Sequence, residues 1–196
     1  MSWIAVLLQF YISMTQADSR LDELIKYFSF MTIWTNILVA LLYTSLILLP
    51  EGRTGKFFEK PVVQGGVLIY IIVVGLIYHF FLADVWNPQG LEKIADNLLH
   101  TFVPLFYLIY WIVFAEKGKL IINNVFLWLL YPLVYVIFAL IRGAVSGIYP
   151  YPFINVSKLG YGITFRNIAF ITIGYIVSGL ILVIADKYMF KRNNNV

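Results

Sequence analysis

The amino-acid sequence predicts an all-α integral membrane protein, in which about six transmembrane helices form a single bundle from residue 1 to residue 196. The mean hydropathy is +0.85, and 61% of the residues are hydrophobic. Only 12% of the residues are charged, whereas soluble domains carry about 25%. Apolar runs of about 17 to 22 residues recur along the chain, and about 20 residues at about 1.5 Å each cross the hydrocarbon core of a bilayer.

Six segments of the sequence have this apolar character, and each is expected to form one transmembrane helix. They are residues 2–16, 28–49, 63–82, 98–114, 125–141 and 168–184. The first segment is similar to a secretory signal, but it lacks the basic residues that precede the apolar part of such signals. We therefore interpret it as a helix of the bundle, and the six spans leave no segment for a second domain.

Charge and cysteine content narrow the possible functions. The chain has no cysteine, which excludes disulfides, thiolate metal sites and cysteine nucleophiles. The net charge of +4 suits basic loops that meet anionic lipids, and no basic run is dense enough to indicate nucleic acid binding. Six helices place both termini on one face, which carries eight of the 14 lysines and arginines. By the positive-inside rule, this small excess predicts cytoplasmic termini.

Two connections between the spans have distinctive compositions. Residues 83–90 are rich in turn formers, and the amphipathic segment 91–97 that follows is expected to lie at the membrane interface as a collar. Residues 142–167 form the longest connection, in which Pro150 and Pro152 impose an extended path with many aromatic side chains. We interpret this connection as a cap over one mouth of the bundle, with aromatic anchoring at the interface as the alternative.

Thr32 and His100 are the strongest candidates for chemistry, because polar and ionisable groups are expensive to keep inside a bilayer. Each lies one turn into an apolar segment that begins at the same face of the membrane. At about 1.5 Å per residue, both side chains lie roughly 5 Å inside their helices. A hydroxyl and an imidazole at this depth remain within reach of water, which suits the hydrolysis of an amphipathic substrate.

The neighbours of His100 favour a role as a base. Asp96 lies four residues earlier on the same helical face, where its carboxylate can hold one imidazole nitrogen and leave the other free. Pro104 lies four residues later and deprives the His100 carbonyl of its intrahelical partner, so that the helix can bend. Asn97 is a good N-cap and offers a simpler reason for polar residues here. A hydrogen bond across a helix interface is the alternative role for His100.

Thr32 belongs to a polar stripe of the second span. Thr35 and Asn36 follow it by three and four residues, so the two hydroxyls and the amide share one helical face. A histidine on a facing helix that takes the proton of Thr32 makes its oxygen a nucleophile, and Asn36 is then placed to donate to an oxyanion. The alternatives are a hydrogen bond from Thr32 to a preceding carbonyl and polar packing between helices.

The fifth span supplies candidate substrate-binding residues. Tyr131 and Tyr135 share one face of this helix, and Pro132 between them removes one backbone hydrogen bond. Arg142 ends the span, where it can bind a substrate carboxylate through two hydrogen bonds or extend to a lipid phosphate.

A second histidine, His79, lies near the same face as His100. Two histidines at similar depth can ligate haem or a metal, but His79 has aromatic neighbours that are typical of an interfacial belt. We therefore expect neither a metal nor a cofactor.

Five short stretches of the sequence together carry a resemblance to a known family. Their order and spacing are specific, whereas no single stretch is. They are FSFMTIWTN from Phe28, WNPQG from Trp86, DNLLH from Asp96, YPLVY from Tyr131 and YPYPF from Tyr149. Together they resemble the bacterial branch of the family that includes the androgen-induced protein and the androgen-dependent regulator of tissue factor pathway inhibitor. The resemblance extends from residue 28 to the last helix.

This resemblance implies a multi-pass hydrolase of a bacterial cell membrane. The animal members cleave fatty acid esters of hydroxy fatty acids with a threonine and a histidine, which the resemblance places on Thr32 and His100. Thr35 is the rival nucleophile if the alignment shifts by one turn. The animal members lack the WNPQG and YPLVY stretches, so the resemblance does not fix the lipid substrate of this chain.

The sequence therefore predicts an intramembrane hydrolase of long-chain lipid esters. His100 is expected to activate Thr32, and Asp96 to orient His100, with membrane lipids and the lipid substrate as partners. The alternative is a non-enzymatic lipid-binding or scaffold protein, in which the polar residues only pack helices. A small transporter is disfavoured, because corresponding halves of the chain show no paired glycine or proline breaks.

Overall fold

A computed structural model describes residues 1–83, 85 and 87–194, with side chains described through residue 192, and every regular element within them is helical. The expectation of an all-α membrane fold is confirmed. The helices are α1 Ser2–Thr15, α2 Arg20–Tyr27, α3 Met31–Leu48, α4 Arg53–Phe58, α5 Pro61–Ile77, α6 Gly90–Asn97, α7 Val103–Phe114, α8 Asn123–Trp128, α9 Leu130–Ser146 and α10 Val156–Asn194. Trp86, which begins one of the stretches that carry the family resemblance, lies outside the described residues.

Five stretches of helix are long and apolar enough to cross a membrane, which makes the chain a multi-pass membrane protein. They are Met31–Leu48, Pro61–Leu82, Gly90–Phe114, Asn123–Ser146 and Val156–Arg192. The sixth apolar helix, α1, has 14 residues and is therefore about 21 Å long, shorter than the roughly 30 Å hydrocarbon core.

The first helix packs antiparallel to the third along much of its length. At its beginning, Trp3 Nε1 donates a hydrogen bond of 2.9 Å to Thr44 Oγ1, near the end of α3. Farther along α1, the hydroxyl of Tyr27 in the α2 helix donates to the Val6 carbonyl at 2.7 Å. These bonds satisfy polar groups within the protein, which is required where the bilayer offers no partner.

The core lies where α3, α5 and α7 meet, and it sets the position of the candidate site. Leu42, Ile71 and Tyr107 are fully buried there. Gly75 of α5 faces the backbone of the neighbouring helix: a Cβ at this position lies 2.9 Å from the His100 carbonyl oxygen. The absence of a side chain thus allows α5 to approach the His100 turn backbone to backbone.

Two π-helical turns interrupt otherwise regular helices beside this contact. Tyr78–Leu82 continues α5, and Leu98–Phe102 joins α6 to α7. In the second turn, the N–H of Val103 donates to the Leu98 carbonyl rather than to that of Leu99, and Pro104 has no N–H to donate. The Leu99 carbonyl is thereby released from the helix and is free to accept a hydrogen bond from another element.

Several sequence-based boundaries were wrong. Residues 28–30 precede α3, so Thr32 is the second residue of its helix and does not lie a full turn inside it. The amphipathic segment 91–97 is the beginning of the His100 helix, not a separate collar, because Asn97 has helical dihedral angles and caps nothing. The long connection is residues 147–155, shorter than 142–167, because α9 continues to Ser146 and α10 begins at Val156. Gly160, with φ of 71°, interrupts α10 near its beginning.

Gly75→Ala is expected to lower the free energy of unfolding by about 1–3 kcal/mol, because the new methyl group must push the His100 backbone away. Thermal unfolding in detergent measures this loss. Gly174→Ala is the matched control, since a Cβ there meets no atom within 4 Å. Equal stability of the two variants contradicts the close approach of the helices.

Candidate active site

Thr32 contacts both His100 and Tyr151. Its Oγ1 lies 3.3 Å from His100 Nε2 and 3.4 Å from the Tyr151 hydroxyl. The Thr32 backbone N–H donates to the same tyrosine hydroxyl at 3.4 Å. Because Thr32 is the second residue of α3, its N–H is one of those at a helix N-terminus that have no intrahelical acceptor. The structure therefore brings together the hydroxyl and the imidazole that the sequence paired.

Asp96 fixes the orientation of the His100 ring. The His100 Nδ1 lies 3.0 Å from the Asp96 carbonyl oxygen and 3.1 Å from Asp96 Oδ1. Both neighbours are acceptors, so the proton belongs on Nδ1 and the lone pair of Nε2 faces Thr32. This is the tautomer that a base acting on the Thr32 hydroxyl requires. The expectation that Asp96 holds one imidazole nitrogen agrees with this geometry.

Tyr78 supports the histidine and the aspartate at once. Its ring stacks on the His100 ring with centroids 4.0 Å apart and planes 11° apart. Its hydroxyl donates a short hydrogen bond to Asp96 Oδ2. Tyr78 opens the π turn of α5, and π turns frequently occur at functional sites. Asp96 thus has a partner on each carboxylate oxygen, and the imidazole has little freedom to rotate.

Tyr151 reaches the site from the connection between α9 and α10. Its ring stacks on Phe153 at 5.1 Å, and Gly147 begins the connection in the left-handed conformation with φ of 72°. Desolvation raises the pKa of the Tyr151 hydroxyl above its ordinary value, and this outweighs the opposing effect of its hydrogen bonds to Thr32. The hydroxyl therefore stays protonated at neutral pH and can donate.

The hydrogen bonds of these residues form one consistent chain of donors. The N–H of Thr32 donates to the Tyr151 oxygen, and the Tyr151 hydroxyl donates to Thr32 Oγ1. The Thr32 hydroxyl then donates to His100 Nε2, and Nδ1–H donates to Asp96. Each group accepts or donates in a way that its chemistry allows. The chain leads from a helix N-terminus through a hydroxyl to a base and its carboxylate.

An apolar cavity of about 350 Å³ lies on one side of Thr32 and His100. Its wall comes mostly from α5, α8, α9 and α10, and includes Val74, Leu133 and Ile171. Tyr135 also lines it and donates its hydroxyl hydrogen bond to the Ser29 carbonyl at 2.8 Å. The cavity has the shape and chemistry that a hydrocarbon chain needs.

A second cavity of about 510 Å³ also adjoins Thr32 and His100. Its wall combines apolar residues, such as Ile12, Phe30 and Leu99, with polar side chains from α1, the residue directly after α1, α2 and α6. The polar side chains are those of Gln9, Ser13, Gln16, Glu23, Lys26, Glu92 and Asp96. Thr32, His100, Tyr78 and Tyr151 line both cavities. The hydroxyl and the imidazole therefore lie where the two cavities meet. We call the second one the polar cavity because of its polar side chains, although much of its wall is apolar.

Asn36 does not have the role that the sequence suggested. Its Nδ2 donates to the Thr32 carbonyl at 2.9 Å and to the Leu99 carbonyl at 3.3 Å, and the residue is fully buried. Both amide hydrogens are thus directed to the backbone, so the expectation that Asn36 donates to an oxyanion was wrong. The residue instead ties α3 to the carbonyl that the second π turn releases.

The other predicted polar residues lie farther from the histidine. Thr35 Oγ1 donates to the Met31 carbonyl at 2.9 Å and lies 3.0 Å from the Tyr131 hydroxyl. Tyr131 also stacks on Tyr70 with centroids 4.4 Å apart. Tyr131 therefore packs α9 against α3 and α5. It is not among the described residues that line the two cavities beside Thr32.

Arg142 holds the connection that carries Tyr151. Its Nη1 donates to the Ile148 carbonyl at 2.7 Å, which fastens the beginning of residues 147–155 to α9. Beside it, a Cβ added to Gly143 would collide with the ring of Tyr149, so α9 and the connection are in close contact. The guanidinium thus has a structural partner, and Arg142 lines neither of the two cavities described above.

His79 and His100 occupy different environments. His79 is exposed, and its Nε2 lies 3.1 Å from Thr101 Oγ1, whereas His100 faces Thr32. In the part of the chain that the structure describes, no three histidine, aspartate or glutamate residues lie in a group that holds a metal.

Sequence reasoning missed the roles of Tyr78 and Tyr151. Tyr78 was interpreted as part of an interfacial aromatic belt beside His79, and Tyr151 as one of many aromatic residues in the cap. The one available signal was the alternation of proline with tyrosine in YPYPF, which fixes the backbone near Tyr151.

Comparison with protein-family models, curated proteins and solved structures found no match for this chain.

Asn36→Leu, which keeps the branching at Cγ but removes the donors, is expected to cost about 0.6–1.7 kcal/mol for the interhelical bond to Leu99. Thermal unfolding in detergent should reveal the loss, because both carbonyls lose a buried donor. A stable variant whose turnover falls about 10²-fold or more has the signature of a lost oxyanion donor and contradicts the packing role.

Proposed function

We propose that this protein is an intramembrane hydrolase of long-chain lipid esters, with Thr32 as the nucleophile and His100 as the base. The observation that supports this most directly is the 3.3 Å contact between Thr32 Oγ1 and the Nε2 lone pair, at the boundary of an apolar and a polar cavity. An ester bond between an acyl chain and a polar group would lie at that boundary. The family resemblance in the sequence favours the same two residues.

The first half of the proposed reaction transfers the acyl group to the protein. The Thr32 oxygen attacks the ester carbonyl carbon while its proton passes to His100 Nε2. When the tetrahedral intermediate collapses, the bond to the alcohol oxygen breaks and that oxygen takes the proton from Nε2. Asp96 stabilises the imidazolium that exists between these steps, as the carboxylate of a catalytic triad does.

The negative oxygen of the tetrahedral intermediate needs hydrogen-bond donors. The Thr32 N–H and the Tyr151 hydroxyl lie beside the attacking oxygen, and both can donate. The N-terminal end of α3 adds a partial positive charge at the same point. Tyr151 therefore replaces Asn36 as the proposed oxyanion donor from a side chain.

The second half of the reaction releases the fatty acid. Water from the polar cavity attacks the acyl-threonine, His100 takes a proton from that water, and the proton then returns to the Thr32 oxygen as it leaves. The acyl chain occupies the apolar cavity throughout. Part of the wall of that cavity faces the bilayer: Phe126, Leu130 and Leu133 are exposed by 64%, 55% and 51%. The chain can thus reach the site sideways from the membrane.

The proposal keeps Tyr135 as a residue that contacts the acyl chain, since it lines the apolar cavity. It assigns Tyr131 and Arg142 to positioning α9 and the connection after it. Location in a bacterial cell membrane with cytoplasmic termini remains a prediction of the sequence.

A non-enzymatic lipid-binding protein is the second candidate. The apolar cavity of about 350 Å³ favours it, because such a cavity holds a lipid chain whether or not chemistry follows. In that case the hydrogen bonds of Thr32 and His100 would serve only to pack helices. The two candidates differ in whether Thr32 reacts.

Thr32→Val, which preserves the shape of the side chain, is expected to abolish both lipid-ester turnover and covalent labelling by a fluorophosphonate probe. Mass spectrometry of the labelled wild type should locate the probe on Thr32. Thr35→Val is the matched control, because Thr35 lies on the same helix and contacts Tyr131 instead of His100. Labelling that persists unchanged in Thr32→Val would contradict the assignment of Thr32 as the nucleophile. Lipid binding without chemistry would then be the remaining candidate function.

Tyr151→Phe should lower kcat by about 10²-fold with little change in KM, since one oxyanion donor is lost while the ring still packs. Steady-state kinetics on a soluble short-chain ester measures both constants. Tyr131→Phe, which removes a hydroxyl outside both cavities, is expected to retain kcat. A Tyr151→Phe enzyme with unchanged kcat contradicts the assignment of the tyrosine as a donor.

A further inference from the structure

We infer that the alcohol part of the ester is an uncharged polyol, such as a glycerol or sugar unit, and not an anionic group. This inference rests on the proposed function, because it names the substrate class of the same site. It comes from the second cavity, of about 510 Å³, that adjoins Thr32 and His100.

The wall of this cavity combines apolar side chains with polar ones that can bond to hydroxyl groups. Gln9 and Ser13 of α1 line the cavity together with Gln16, which directly follows that helix. Glu23 of α2 and Glu92 of α6 add carboxylates to the same wall. The polar part of the wall therefore offers hydrogen bonds to the alcohol part of an ester.

The charges on the wall disfavour an anion. Glu23, Glu92 and Asp96 are acidic, and Lys26 is the one lysine or arginine among the described lining residues. The Lys26 ammonium already bonds to Glu23 at 3.1 Å, so its charge is compensated. A carboxylate or phosphate in this cavity would lie near uncompensated negative charge, which costs free energy in a partly desolvated space.

Hydroxyl groups suit the same wall because they both donate and accept hydrogen bonds. Gln16 Nε2 donates to Glu92 Oε1 at 2.7 Å, which orients that carboxylate and leaves its second oxygen free to accept. Gln9 Nε2 lies 3.4 Å from Ser13 Oγ, so the second amide hydrogen of Gln9 remains a donor to a ligand. A polyol can satisfy such a mixture of donors and acceptors without bringing a charge.

A matched pair of substrates tests the inference: a 1-monoacylglycerol and the corresponding 1-acylglycerol 3-phosphate, with the same acyl chain in the same neutral detergent. The two share the ester and the glycerol and differ in the phosphate. We expect kcat/KM to be at least tenfold higher for the uncharged ester. Equal values, or a preference for the phosphate, would overturn the inference while leaving the hydrolase proposal intact.

Two variants test whether the acidic residues of the cavity wall cause the preference for the uncharged ester. Glu92→Gln should narrow the ratio of the two kcat/KM values, and Glu23→Gln should narrow it further, because it leaves the Lys26 ammonium free to meet a phosphate. Glu116→Gln is the control, since Glu116 pairs with Lys119 in the connection between α7 and α8, away from the cavity. A ratio that changes equally in all three variants would show that the wall charges do not select the substrate.

A binding measurement separates this inference from the proposed function. Ether analogues that cannot be hydrolysed, 1-alkylglycerol and 1-alkylglycerol 3-phosphate, compete with a fluorescent fatty acid for Thr32→Val protein. Tighter binding of the uncharged ether supports the inference whether or not the wild-type protein hydrolyses an ester. Tighter binding together with no ester hydrolysis would refute the hydrolase proposal and leave the inference about the ligand intact. Equal competition by the two ethers, or competition by neither, would overturn the inference.

Discussion

The contact between α3 and the π turn at residues 98–102 is the interaction on which the rest of the site depends. In a bilayer, a backbone carbonyl that leaves its helix must find a donor within the protein. Pro104 and the π turn release the Leu99 carbonyl, and Asn36 supplies the donor from α3. The same amide binds the Thr32 carbonyl, so one side chain sets the distance between the two helices that carry the hydroxyl and the imidazole.

The positions of the helices were largely predictable, because length and hydropathy determine them in a membrane protein. The residues at which the helices begin and end were harder to predict. Continuous apolar character does not distinguish Phe28, which precedes α3, from Met31, which begins it. Likewise, the amphipathic segment 91–97 and the apolar segment after it have different hydropathy, yet the backbone continues through both as one helix. Membrane depth therefore has to be read from three-dimensional contacts, as the position of Thr32 shows.

Local spacing predicted the partners of His100 that lie on its own helix, and missed those on other helices. Asp96 lies four residues before His100, and an i,i+4 pair meets wherever the helix forms. Tyr78 and Tyr151 come from α5 and from the connection after α9, and no pattern in the sequence indicates which of 14 tyrosines will reach the site. The role of Asn36 was misjudged for a related reason, because its acceptor depends on a π turn that periodicity does not reveal.

The attachment of Tyr151 to a connection has a consequence for biosynthesis. Thr32 and His100 both lie in the first 100 residues, whereas the tyrosine follows the fourth of the five stretches that are long enough to cross a membrane. Its place against the threonine is held by Arg142 and by the buried side chain of Ile154 beside it. A nascent chain that has inserted only its early segments into the membrane thus carries an incomplete site, and the last donor arrives only after the stretch Asn123–Ser146 has been synthesised.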